Sequence, residues 1–164
     1  MNLMLDRQEL LSIIPHKGKM FLLDRINNYN PQECTIEAEY KITQDCIFYD
    51  SEISGVPAWV GFEFIAQSIA AFAGIRDMQI LREKGQPPKI GFILSVSALT
   101  IEIPFYKEGS ILTIKTKEIQ NMAPVYNFYG EILLDGKIVL CGKLTVMEAD
   151  NDQINKINNK EEIN

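Results

Sequence analysis

The stretch of sequence that decides the fold runs from Val56 to Arg76 and reads VPAWVGFEFIAQSIAAFAGIR. Between positions 58 and 75 the only polar residues are Glu63, Gln67 and Ser68. A run of this length and composition predicts a helix of about five turns. A helix that is apolar nearly all round is either buried inside a protein or crosses a membrane.

Burial in a soluble protein is the better interpretation, although about 20 apolar residues suffice for a membrane span. The stretch carries an acid in its second turn, is rich in small residues and has no basic residue on its N-terminal side. Pro57 suits a first helical turn, where its missing N–H is not needed. Glu63 would then lie in a core, where an ionised group costs several kcal/mol unless it is paired or protonated. Glu63 is therefore the first candidate for a functional residue.

The composition predicts one globular domain in the cytoplasm. A chain of 164 residues with 46% hydrophobic residues is long enough for its own core. We expect the domain over residues 1–147 and a polar, disordered tail over residues 148–164. A net charge of −6 argues against nucleic-acid binding. The cysteines are odd in number and form no Cys-x-x-Cys motif, which fits a reduced compartment and predicts no metal site.

Strands are predicted on both sides of the helix. Asp6 and Glu9 have the spacing of a capping box and open a short helix that runs to Ile14. An Asp-Gly pair at residues 135–136 predicts a two-residue hairpin. The strands are predicted over residues 21–27, 33–41, 90–103, 110–118, 125–134 and 137–147. A helix that is apolar on every side needs a sheet curled around it, so the sequence predicts an α+β hotdog fold, a curved antiparallel sheet wrapped around one long central helix.

Three segments resemble the 3-hydroxyacyl-[acyl carrier protein] dehydratases of fatty acid synthesis. They are Ile14-Pro15-His16-Lys17 through Leu22-Leu23-Asp24-Arg25, Val56-Pro57 through Glu63-x-x-Ala66-Gln67, and the scattered set Gly91-Phe92, Ala98, Pro104 and Gly109. The form PAWVGFEFIAQ is closer still to the dehydratase-like subunit of aryl-polyene lipid gene clusters. The resemblance covers roughly residues 8–147.

The resemblance implies a reaction and its participants. A 3-hydroxyacyl thioester on the phosphopantetheine arm of an acyl carrier protein would lose water and become the trans-2-enoyl thioester, in fatty acid or polyene-type lipid synthesis. No other cofactor is expected. Glu63 matches the catalytic acid, and Ala58 matches the position whose N–H polarises the thioester carbonyl. Pro57, Ala58, Trp59 and Gln67 are the expected substrate contacts. A homodimer, or a heteromer with another hotdog subunit, is expected, without a membrane span.

One departure from the family concerns the catalytic base. The family has a histidine in the loop before the central helix, whereas here that loop reads FYDSEISG over residues 48–55. The single histidine is His16, in the opening segment. Either His16 lies roughly 6–8 Å from Glu63, across one bound substrate, and acts as base, or its ring is held by the backbone and a partner supplies the histidine. Tyr49, Asp50 and Glu52 are the remaining candidate bases.

Structural roles are open for the same residues. Glu63 could be a helix acid paired with Gln67 at i+4, and His16 a turn histidine bonded to backbone. Trp59 and the small residues of the helix could serve packing. Three functions therefore compete: a dehydratase, a catalytically weak partner subunit of another hotdog dehydratase, and an acyl thioesterase, because hotdog thioesterases often use a helix acid to activate water.

Overall fold

The structure is a computed structural model that describes residues 3–81 and 90–149. Two short 3-10 turns lie at Gly18–Met20 and Ala58–Val60. The helices and strands are β1 Leu5–Asp6, α1 Arg7–Leu11, β2 Arg25–Asn30, β3 Thr35–Lys41, β4 Gly55–Pro57, α2 Gly61–Leu81, β5 Ile90–Ile101, β6 Phe105–Lys107, β7 Ile111–Met122, β8 Val125–Leu134 and β9 Lys137–Ala149.

Seven strands form one antiparallel sheet in the order β1-β2-β3-β7-β8-β9-β5, and β4 pairs with β6 beside it. Helix α2 packs against five strands of the large sheet. The sheet contributes Ala38, Ile114 and Leu144, and the helix contributes Phe64 and Ile65, all fully buried. The predicted hotdog fold is confirmed.

The core explains why the central helix is apolar on all sides. Residues Ala58–Met78 are long and apolar enough to cross a membrane, but 67% of that stretch is buried inside the fold. Ala71 and Ile65 are both fully buried although they lie on different sides of the helix. The sheet and the opening segment therefore take the place that lipid would have around a membrane helix.

Several predicted boundaries were wrong, and each has a local cause. Strand β2 begins at Arg25 rather than at residue 21, because Leu22 donates its N–H to a helix side chain instead of a strand. Strand β9 ends at Ala149 rather than residue 147, so Glu148 belongs to the sheet. Helix α1 ends at Leu11, short of Ile14. The predicted tail beyond 149 lies outside the described residues.

Two local predictions are confirmed. Asp6 accepts the Glu9 N–H at 2.9 Å and Glu9 accepts the Asp6 N–H at 2.8 Å, which completes the capping box. Asp135 and Gly136 have φ values of 48° and 77° and join β8 to β9, as the two-residue hairpin requires. Strands β1, β4 and β6 were missed because two or three residues carry no measurable alternation.

Candidate active site

The opening segment is fastened to helix α2 by the side chain of Gln67, which is 0% exposed. Its Oε1 accepts the Leu22 N–H at 2.8 Å, and its Nε2 donates to the Met20 carbonyl at 2.6 Å. A backbone N–H can only donate, so these two bonds fix which end of the amide is oxygen. Nε2 therefore also donates to Oε1 of Glu63, at 3.0 Å.

A glycine in α2 lets the same segment approach the helix closely. A Cβ at Gly74 would lie 2.5 Å from Cγ2 of Ile13 and 2.9 Å from its carbonyl oxygen. Any side chain at position 74 would push the segment outward. Gln67 and Gly74 thus hold the two ends of the stretch that carries His16.

His16 lies beside Glu63, with Nε2 of the ring 3.6 Å from Oε1 of the carboxylate. The His16 side chain is 29% exposed and the Glu63 side chain 18% exposed. Solvent therefore reaches both side chains, although the fold covers most of the surface of each. Within residues 3–81 and 90–149, Nδ1 of His16 is buried and has no hydrogen-bond partner. The alternative in which the backbone holds the ring is therefore wrong.

The separation of the pair differs from the sequence-based expectation. A distance of 3.6 Å is about half of the predicted 6–8 Å. It allows an ionic contact but is too long for a direct hydrogen bond. A gap of 3.6 Å leaves no room for a substrate between these two atoms, which the predicted arrangement required.

The pair opens into a cavity of about 120 Å³ that follows α2. Ala66, Ala70 and Ala73 share one helical face, and their small side chains form one wall. Apolar side chains from the sheet form the other wall, namely Ile93, Phe128 and Val146. The cavity is thus a narrow apolar channel with a titratable pair at one end.

The other end of the cavity carries a buried ionic network centred on Arg76. Its guanidinium donates to Glu118 at 2.9 Å and to Glu148 at 3.1 Å, and Tyr126 donates to Glu148 at 3.2 Å. Burial lowers the pKa of Arg76, but the two carboxylates outweigh that effect and the pKa lies above its ordinary value. Burial also raises the pKa of Tyr126. Residues 76, 118, 126 and 148 were not predicted as site residues.

The predicted substrate contacts at the start of the helix do not line this cavity. The Ala58 N–H donates to the Pro104 carbonyl at 3.0 Å, so the prediction that it polarises a thioester carbonyl is wrong for this structure. Pro57 lies at the end of β4, opposite Phe105. Trp59 is 54% exposed and packs edge-on against a neighbouring ring. Gln67 has no exposed surface, and its geometry supports holding Glu63 rather than touching a substrate.

The loop before the helix offers no better base. Tyr49 donates to Glu108 at 2.7 Å, and this hydrogen bond raises the pKa of the tyrosine. A raised pKa makes a tyrosine a poorer base at neutral pH. Asp50 accepts the Glu52 N–H at 2.8 Å within a turn. None of these three residues lines the cavity, which leaves His16 as the candidate base beside Glu63.

No group of three His, Cys, Asp or Glu side chains within the described ranges is placed as metal ligands would be. The missed part of the site is the channel wall and its ionic end. The spacing of Ala66, Ala70 and Ala73 at i, i+4 and i+7 was visible in the sequence. The pairing of Arg76 with carboxylates from two strands was not, because it depends on the sheet order.

The sequence profile of the ApeP-like family, described as ApeP dehydratase, matches residues 8–158. The chain belongs to the ApeP-like dehydratase family. The predicted resemblance is thereby confirmed, and so is the prediction of a dehydratase in preference to a thioesterase.

Curated relatives of this ApeP-like chain carry a related name. This chain is 25% identical over 146 residues to the 3-hydroxyacyl-[acyl-carrier-protein] dehydratase FabZ of Zymomonas mobilis, and the match covers 89% of this chain and 90% of that relative. It is 26% identical over 148 residues to FabZ of Erythrobacter litoralis, covering 88% and 93%.

Among solved structures, the ApeP-like chain is similar to the dehydratase heterocomplex ApeI:P from Xenorhabdus doucetiae. The TM-score is 0.80 and the identity 21%, covering 92% of this chain and 97% of that chain. A thioesterase-like protein of Ralstonia eutropha has a TM-score of 0.55 and 16% identity, covering 74% and 82%. Both similarities support the hotdog fold alone.

Proposed function

We propose that the chain removes water from a 3-hydroxyacyl thioester carried on an acyl carrier protein, giving the trans-2-enoyl thioester. Its family is one of dehydratases, and its FabZ relatives are named for this class of substrate. The observation that carries the proposal is the His16–Glu63 pair at the end of a narrow apolar channel. The reaction belongs to fatty acid or polyene-type lipid synthesis in the cytoplasm.

The pair can divide the two proton transfers. Histidine is the side chain suited to accept a proton at neutral pH, so Nε2 of His16 takes the α proton. Within the described part of the chain, no hydrogen bond ends on Oε2 of Glu63, which leaves that oxygen to protonate the departing hydroxyl. The Cα–H and Cβ–O bonds break, a carbon–carbon double bond forms and water leaves. His16 then releases its proton to solvent and Oε2 of Glu63 takes one up from solvent, which restores the pair, because both side chains are partly exposed.

Their placement on one side has a stereochemical consequence. Because the two groups lie 3.6 Å apart, the proton and the hydroxyl are removed from the same face of the acyl chain. Gln67 holds Oε1 of Glu63 at 3.0 Å, so the carboxylate is oriented before substrate binds.

Replacement of the acid tests the proposal directly. Glu63→Gln keeps the shape of the side chain and removes proton transfer, so turnover of a 3-hydroxyacyl carrier thioester should fall by roughly 10²–10⁴. Glu37→Gln is the matched control, because Glu37 lies outside the cavity and pairs with Lys115 at 3.5 Å. Unchanged turnover in Glu63→Gln, at an unchanged melting temperature, contradicts the assignment.

Replacement of the proposed base, His16, tests whether its imidazole ring serves catalysis or structure. His16→Ala should lose turnover at a cost in stability of about 1 kcal/mol, or about 2–4 °C in melting temperature, because among the described residues the partly shielded ring makes no hydrogen bond and contributes mainly packing. Full activity of this variant would assign the base to another residue or another chain.

A partner subunit is the second candidate, and the free edge of the sheet supports it. Strand β5 pairs with β9 on one side only and stands at the end of the sheet. Long unpaired edges are normally covered. The exposed apolar side chains of β5 are Phe92, Ile93, Leu94, Val96, Leu99 and Ile101. We propose that a second hotdog chain, identical or related, pairs with this edge.

The lone chain and the complex can be told apart by two measurements. If the partner is an identical chain, light scattering at micromolar concentration should show an even-numbered assembly, and a stable monomer would leave only a related hotdog chain as the partner at this edge. If the pure chain is inactive but gains turnover on mixing with a second hotdog subunit, the complete site requires the partner, and His16→Ala in that mixture tells whether the base comes from this chain. If Glu63→Gln then leaves the turnover of that mixture unchanged, the present chain has a supporting role.

A further inference from the structure

The channel beside the His16–Glu63 pair has two unlike ends. It runs along α2 past the alanine wall to Arg76, which is roughly 20 Å from Glu63 along the helix axis at about 1.5 Å per residue. Between its two ends the channel is lined mainly by apolar side chains, among them Ile69, Ile93 and Phe128. Its far end is a charged network that takes no part in the proposed proton transfers.

At the charged end, the Arg76 guanidinium contacts two carboxylates and two aromatic rings. Glu118 of β7 and Glu148 of β9 bind the guanidinium at 2.9 and 3.1 Å. The rings of Phe72 and Tyr126 lie 5.6 and 5.3 Å from it. The side chains of both glutamates are nearly buried, at 7% and 10% exposure.

An alkyl chain cannot pass such a network without separating buried charges. Each separated charge would lose its partner in a place that water reaches poorly, which is strongly unfavourable. An apolar chain gains free energy for each methylene that enters the apolar part of the channel and gains nothing beyond it. The position of Arg76 therefore fixes where that gain stops.

We propose that the Arg76–Glu118–Glu148 network is the floor of the acyl-chain channel and sets the longest acyl chain that the site accepts. The inference rests on the proposed function, because it takes an acyl thioester as the ligand. Chains that end before the network are bound along their whole length, and longer chains must bend out of the channel or displace the helix.

Binding of ligands that cannot react tests whether the Arg76–Glu118–Glu148 network is the floor of the channel. The full-length chain is titrated by calorimetry with acyl-pantetheine amides, in which an amide replaces the thioester, in a series of increasing chain length. Affinity should rise about fourfold per methylene up to a break point and then stop rising. In Arg76→Met, which removes the charge but keeps the length of the side chain, the break point should move to longer chains.

A second variant does not depend on the ionic network. Ala70→Leu fills the middle of the channel while keeping a good helix former, and the break point should move to shorter chains. If Arg76→Met does not fold, an unmoved break point in Ala70→Leu still overturns the inference, because the acyl chain then does not lie along the alanine wall that leads to Arg76. Arg25→Met is the control, since Arg25 is 56% exposed, pairs with Glu39 at 3.4 Å and lies outside the channel.

The outcomes separate this inference from the proposed function. A break point that moves in opposite directions in the two variants supports the floor even if the chain proves inactive. A break point that stays in place in the folded variants, or an affinity that does not depend on chain length, overturns it. Loss of turnover in Glu63→Gln with an unmoved break point would support the dehydratase and reject the floor.

Discussion

Removing the amide of Gln67 should uncouple the opening segment from the central helix. Gln67→Met keeps nearly the same volume in a site that is 0% exposed, and it deletes three hydrogen bonds. The Leu22 N–H, the Met20 carbonyl and Oε1 of Glu63 all lose a partner. Both the stability of the fold and the orientation of Glu63 are then affected.

The magnitude follows from how buried each abandoned group is. Leu22 is fully buried, so its unpaired N–H costs about 1–3 kcal/mol. Met20 is partly exposed and its carbonyl can turn to water, so that loss is only about 0.5–1.5 kcal/mol. The sum is about 1.5–4.5 kcal/mol, which lowers the melting temperature of a domain of this size by about 3–18 °C. Misplacement of the carboxylate should also lower turnover by up to about 10².

Thermal unfolding followed by circular dichroism measures the first effect and the dehydration assay measures the second. Ser68→Ala is the matched control, because Ser68 is the next residue of α2, is equally buried and, among the described residues, makes a single side-chain hydrogen bond, with Thr116 at 3.3 Å. Its expected cost is about 1 kcal/mol or less. A loss in Gln67→Met no larger than in this control would refute the fastening role.

Two further predictions concern packing and ionisation. Gly74→Ala should destabilise the chain by up to about 2 kcal/mol in denaturant unfolding, because the new Cβ meets Ile13 at 2.5 Å and an overpacking cost of about 1–3 kcal/mol is only partly offset by the gain of about 1 kcal/mol in helix propensity; increased stability would contradict it. Burial raises the pKa of Tyr106, so the folded chain binds that proton more tightly and the associated stability, present below pH about 10, is lost as the pH rises further. The free energy of unfolding should fall above pH about 10, less steeply in Tyr106→Phe, and an equal slope in both proteins would contradict the prediction.

The fold could be predicted from the sequence wherever a single helix, strand or turn has a distinctive local sequence pattern. The run from 56 to 76 predicts a core helix because its polar residues are too few for a surface helix. Strands β3 and β8 alternate, and Asp135-Gly136 fixes a hairpin. The segment over residues 21–24 was misassigned as strand because its apolar residues are buried in the core as those of a strand would be. The Leu22 N–H nevertheless donates to Gln67 of the helix rather than to a strand, a contact with no local sequence signal.

The site was accessible only in part. Glu63 stands out as a lone acid in an apolar helix, and the absence of other histidines leaves His16 as the sole imidazole. Their contact at 3.6 Å depends on how Gln67 and Gly74 hold the opening segment, which involves residues far apart in sequence. The commitment of the Ala58 N–H to Pro104 likewise depends on the pairing of two short strands.

The residues that hold the opening segment against helix α2 differ from those proposed to transfer protons, and the two roles can be distinguished by measurement. Gln67 and Gly74 hold the opening segment but do not reach the reacting atoms, so their variants should lose stability and turnover together. His16 makes no hydrogen bond within the described residues, so its replacement should lower turnover with little change in stability. Glu63 lies between these cases, because one oxygen accepts from Gln67 while the other faces no donor in the described part of the chain. Substitution by glutamine keeps most of that contact, and the remaining loss of turnover reports on proton transfer.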